Sequence, residues 1–170
     1  MVSVHPIVGP GIGLGVQNFD ATMLNGTGAA ITKGDVVSVK AVAAAADATP
    51  DGRWQVVKLP VDGTNDDVDD NEFGFFGVAL EDAANSSSAT VRVRFQGYVD
   101  AKINGTPATG DGLTVSLDTT GKLIAAVTGD KVVAFYCGID SDGNYAAAAD
   151  DEIVQVLFDG LNGFGMDHAA

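Results

Sequence analysis

The stretch Val91-Arg92-Val93-Arg94-Phe95-Gln96 alternates apolar and polar residues without a break. A period of two sends Val91, Val93 and Phe95 to one face and Arg92, Arg94 and Gln96 to the other, whereas a helix would scatter both sets around its circumference. Upstream lies the apolar run Phe73-Gly74-Phe75-Phe76-Gly77-Val78-Ala79-Leu80, of a length suited to a buried strand, joined to the alternating stretch through Glu81 to Ala89. Together the two runs predict an antiparallel β-unit with one dry face and one wet face.

The rest of the chain reads in the same way. Strands are expected at Val36–Lys40, Trp54–Leu59, Leu113–Leu117, Lys122–Val127, Lys131–Gly138 and Ile153–Phe158. Turn signals such as Asp51-Gly52, Asn104-Gly105, Thr109-Gly110-Asp111-Gly112 and Thr119-Thr120-Gly121 separate them. The fold class is therefore all-β, an antiparallel sandwich or barrel-like body. Its 22 glycines suit many tight turns and have no three-residue period of the collagen kind. An internal repeat also shows. Gly34-Asp35-Val36-Val37-Ser38-Val39 returns as Gly110-Asp111-Gly112-Leu113-Thr114-Val115, Phe76-Gly77-Val78 as Cys137-Gly138-Ile139, and Val91–Gly97 as Val154–Gly160. The division that follows is an N-terminal arm over 1–30, a first β-lobe over 31–103, a second over 104–160 and a tail over 161–170. Residues 61–72, with six acids and no base, read as an exposed loop.

Charge narrows the function. With 23 acids against 9 bases the formal net charge is −14, which repels nucleic acid and anionic membranes, so neither is an expected partner. No run is long and apolar enough to span a bilayer. No basic region followed by an unbroken apolar one opens the chain, so the expectation is a protein made in a cytoplasm and not exported by a standard secretory signal.

Catalytic chemistry finds no foothold either. His5 and His168 sit in the two tails, where nothing orients an imidazole, and no Gly-x-Ser-x-Gly elbow accompanies them. The alternating glycines Gly9, Gly11, Gly13 and Gly15 lack the preceding strand, following helix and lysine of a phosphate-binding loop. Asp66-Asp67-x-Asp69-Asp70-x-Glu72 and Asp140-x-Asp142-Gly143-Asn144 could gather oxygens around a cation, but solvated acidic loops account for both. Trp54, Tyr98, Tyr136 and Tyr145 are too few to predict a carbohydrate-processing cleft, and all but Tyr145 fall in or beside strand patterns. Cys137, the single cysteine, falls in an apolar run and reads as an inert buried thiol. The expectation is a chain that is not an enzyme and that holds no cofactor and no metal.

What remains is contact. Ile7, Val8, Ile12, Leu14 and Val16 make the glycine-rich arm apolar, and such an arm must fold back on its own body or lie along a partner. Arg92 and Arg94, on the polar face of their strand, are placed to meet carboxylates of the chain's own acidic loops or of a neighbouring subunit.

The wording Phe76-Gly77-Val78-Ala79-Leu80-Glu81-Asp82-Ala83-Ala84, followed by Val91-Arg92-Val93-Arg94-Phe95-Gln96-Gly97, resembles the small capsid decoration (cement) proteins of tailed phages. In that family a Gly-Asp-x-Val strand opens the lobe, and Gly34-Asp35-Val36-Val37 supplies it here. The resemblance covers residues 31–100, and residues 110–160 more weakly as a second copy. The acidic insert 61–72 and the glycine-rich arm depart from the pattern. The resemblance implies an all-β virion protein on the outer capsid surface, often a homotrimer, that clamps neighbouring copies of the major capsid protein. A non-catalytic ligand-binding module, of carbohydrate-binding or adhesin type, is the alternative.

Overall fold

A computed structural model describes residues 17–26, 28–40, 55–58, 72–86, 88–116, 121–127, 130–140 and 152–161. Their strands are β1 (Phe19–Asn25), β2 (Val36–Lys40), β3 (Gln55–Lys58), β4 (Glu72–Ala79), β5 (Thr90–Lys102), β6 (Gly112–Val115), β7 (Leu123–Ala125), β8 (Ala134–Asp140) and β9 (Ile153–Asp159). The fold is all-β. The described strands form one sheet in the order β1-β3-β2-β4-β5-β9-β8-β6-β7.

That sheet closes on itself. β1 runs parallel to β3 and antiparallel to β5, so β1, β3, β2, β4 and β5 form a five-stranded barrel without a free edge. The other end returns as well. A parallel bridge between Ile103 and Leu123, with the Asn104 N–H donating to the Leu123 carbonyl at 2.7 Å, brings β7 back to the end of β5. The second half of β5 thereby closes a second ring with β9, β8, β6 and β7.

The reason one strand serves two rings lies in its sequence. β5 alternates buried and solvent-facing residues along its whole length. Val91, Val93 and Phe95 fill the first ring with Met23, Val37, Val39 and Val56. Val99 and Ala101, with Ile103 just beyond the strand, fill the second with Leu113, Leu123, Val154, Val156 and Phe158. Between the two sets stands Gly97 at φ 117°, a conformation that a side chain would resist, and a Cβ there would run into the Asn18 amide. The alternation continues through this kink, which lets the strand change rings.

The two rings match register for register. Val39 faces Val56 as Val115 faces Leu123, Ala79 faces Val93 as Tyr136 faces Val156, and Ala21 faces Val93 as Val99 faces Val156. The turns agree too. The Gly34 N–H donates to Ala79 O at 2.8 Å and the Gly110 N–H to Tyr136 O at 2.9 Å. The Thr32 N–H reaches Asp35 Oδ2 at 2.7 Å, and the Ala108 N–H reaches Asp111 Oδ2 at 2.8 Å.

Three sequence expectations change in detail. Phe19–Asn25, placed in the arm by the sequence reading of 1–30, is a barrel strand, while residues 1–16 lie outside the described residues. The passage from one ring to the next falls at Gly97, inside β5, not at residue 103. Ala79 is equivalent to Tyr136, so Phe76-Gly77-Val78 corresponds to Val133-Ala134-Phe135 and not to Cys137-Gly138-Ile139. Gly138 instead sits at a register shift between Tyr136 and Ile139, with φ 74°.

Candidate contact surface

The rings are joined by apolar packing and by one buried carboxylate. Val36 and Val78 turn their side chains out of the first barrel and into the core cluster of the second, with Phe76 and Leu80 packed beside them. Backbone bonds cross the same seam, from Val36 N–H to Gly121 O at 2.8 Å and from Lys102 N–H to Gly34 O at 2.9 Å. At its centre Asp35 is 3% exposed. Its Oδ2 accepts from the Lys58 ammonium at 2.6 Å and its Oδ1 from the Lys102 ammonium at 2.7 Å. The Thr32 N–H and Oγ1 complete the cage on Oδ2, at 2.7 and 3.0 Å. Burial on its own would raise this carboxyl. The bonds from Lys102, Lys58 and Thr32 together outweigh it and hold the group below its ordinary value of 3.8.

Arg94 is engaged within the chain. Its Nε and Nη2 grip the two oxygens of Asp20 at 2.7 and 2.9 Å in a bidentate fork, and its Nη1 donates to the Tyr98 carbonyl at 2.6 Å. The partner is a β1 residue, not a member of the acidic loops that the sequence offered. Arg92 differs. It is exposed, its backbone N–H donates to Glu81 Oε1 at 3.0 Å and its carbonyl accepts from the Leu80 N–H at 2.8 Å, while its guanidinium meets no acceptor among the described residues.

Arg92 and Arg94 nonetheless line one groove of about 360 Å³ with Lys33, Leu80, Tyr98 and Gln155. It lies on the outer side of β5 where the rings meet. A second concavity of about 450 Å³, between Phe76, Val115, Ile124 and Val133, has Asp130 and Lys131 at its rim.

The other sequence candidates are quickly placed. Ile7, Val8, Ile12, Leu14 and Val16 lie outside the described residues, as do His5, His168, Trp54, Tyr145 and Asp66 to Asp70. Tyr136 is buried in the second core, and burial, with Glu152 and Asp140 adding to it, raises its hydroxyl. Cys137 is half-buried and its thiol donates to Phe135 O at 3.8 Å. Burial pushes that thiol up, against a lowering bond from the Leu157 backbone, so a thiolate nucleophile is disfavoured. Among the described residues no group of three or more His, Cys, Asp or Glu side chains could hold a metal, and no helix is long and apolar enough to cross a membrane. The Asp35 cage is the part the sequence did not reveal. Gly-Asp marked its turn, but nothing local tied Lys58 and Lys102 to it.

The geometry thus defines an all-β body of two equivalent rings with a polar groove over their joint. No protein-family model matches the chain. None of the curated proteins matches it. Among solved structures, the head fiber gp8.5 N base of bacteriophage phi29 is similar at a TM-score of 0.49 and 10% identity, over 82% of this chain and 94% of that one. A likeness of that degree carries no function to this chain.

Proposed function

We propose that this chain is a non-catalytic structural protein of a tailed-phage head, bound to the outside of the shell, where it holds neighbouring major capsid subunits together. The observation that carries the reading is the wording of Phe76–Ala84 and Val91–Gly97, which resembles capsid decoration proteins. In the fold this wording falls on β4, the turn after it and the first half of β5, the strand that both rings share. A clamp must pass load from one contact to another. β5 does this with a continuous backbone ladder, pairing with β1 through its first half and with β9 from Gln96 to Lys102.

The arm residues Ile7, Val8, Ile12, Leu14 and Val16 gain affinity by ordering along the coat, and a trimer multiplies each weak contact. The test is co-sedimentation with heads that lack this protein. Full-length chain pellets with the heads in a saturable manner, and light scattering gives the mass of three copies in solution. Deletion of residues 1–16 stops short of β1, leaves the circular dichroism spectrum and melting point unchanged, and abolishes pelleting. Undiminished pelleting by that truncation removes the arm from the contact, and no pelleting by the full chain removes the function.

A further inference from the structure

We infer that the groove over the ring joint is a second contact point with the coat, and that Arg92 receives a carboxylate there from an acidic side chain of the capsid subunit. This deepens the head-binding reading and rests on it. Asp20 is taken up by the fork of Arg94. Asp100 lies 3.6 Å from Lys33. Glu81 accepts from the Arg92 backbone and Asp82 from the Lys33 backbone at 2.8 Å. Among the described residues each charged group around the groove has a contact except the guanidinium of Arg92, which presents a planar donor fork matched to a carboxylate or phosphate.

The fold does not require an arginine at this place. Val91 and Val93 are equivalent to Val154 and Val156, so the second ring carries Gln155 where the first carries Arg92. Both residues line the same groove, so Gln155 adds a neutral polar side chain to the wall that Arg92 charges. Tyr98 and the half-buried Leu80 add an amphipathic wall suited to an extended peptide. Charge decides between the candidate occupants. At a net −14, a nucleic acid is repelled at long range, whereas one acidic side chain on an otherwise uncharged or basic coat surface is not, and a second copy seated in the groove would instead make the light-scattering mass depend on Arg92 and overturn the inference.

The experiment measures binding of the full chain to heads lacking it, comparing wild type with Arg92→Gln, Arg92→Glu and, as a charge-matched control, Lys131→Gln. Arg92 is exposed, so both of its variants keep the wild-type melting point. Arg92→Gln binds about tenfold more weakly, the loss of one charge-assisted pair, and Arg92→Glu more weakly again. Lys131→Gln, on an exposed residue at the other concavity, binds as wild type. Raising the salt weakens wild type more than Arg92→Gln. Equal binding by Arg92→Glu and wild type overturns the inference and leaves head binding standing. An equal loss in Lys131→Gln also overturns it, because the effect is then one of net charge. Failure of wild type to bind heads overturns both readings.

Discussion

Replacing Asp35 with Asn tests the joint between the rings. The substitution keeps the shape of the side chain but removes the charge facing two ammonium groups at 2.6 and 2.7 Å. Breaking a buried pair by deleting one partner costs about 3–5 kcal/mol, because the surviving charge is left uncompensated. Lys58 and Lys102 are 20% and 24% exposed, so both can turn partly to water. The lower end applies, about 3 kcal/mol, and for a chain of this size that lowers the melting point by roughly 6–12 °C.

Urea unfolding at pH 7, followed by far-ultraviolet circular dichroism, reads the difference. The pH dependence then fixes its cause. The folded carboxyl titrates below its ordinary value of 3.8, so its contribution is present in full above that value and is lost as pH falls through the folded pKa. The gap between wild type and Asp35→Asn is therefore constant from pH 5 upward and shrinks below pH 4. A gap under 0.5 kcal/mol at pH 7 (about the scatter of an ordinary surface substitution), or one that widens in acid, would refute the reasoning.

Three further outcomes follow from the packing. A Cβ on Gly160 would collide with the Phe76 carbonyl and with the ring of Phe158, so Gly160→Ala forces backbone to move and costs about 1–3 kcal/mol in urea unfolding. Wild-type stability in that variant would show the approach to be looser than described. The hydroxyl of Ser38 is buried without a hydrogen-bond partner among the described residues, so Ser38→Ala is neutral or stabilising by up to about 1 kcal/mol, and a loss beyond that would reveal a partner. Cys137, half-buried with a raised thiol, reacts with Ellman's reagent at pH 8 far more slowly in the folded protein than in urea. Equal rates would contradict that burial.

Most of the sheet was legible because its strands are either alternating or unbroken. β2, β4, β8 and β9 lie close to their expected places. β1 escaped notice for a physical reason. Phe19 and Asp20 are exposed, and only Met23, Leu24 and Asn25 of that strand are buried. Its apolar residues Phe19, Ala21, Met23 and Leu24 make neither an unbroken run nor an alternation that holds to the end, and they follow a glycine-rich stretch. The unbroken alternation in the sequence stops at Gln96, where Gly97 interrupts it, although Val99 and Ala101 carry the same alternation onward. At the contact surface the sequence could place Arg92 and Arg94 on one polar face, since period alone decides that. It could not separate them, because Asp20, which takes Arg94, lies 74 residues away and meets it only through the β1–β5 register. The Asp35 cage was hidden for the same reason, with both of its lysines brought in by long-range pairing.

A cryo-electron microscopy reconstruction of heads carrying the wild-type chain tests the central claim most directly. The account expects density for two adjoining β-rings on the outer face of the shell, with the Arg92 groove turned toward a capsid subunit. Heads whose outer surface shows no such density, or density confined to the tail or the interior, would contradict it.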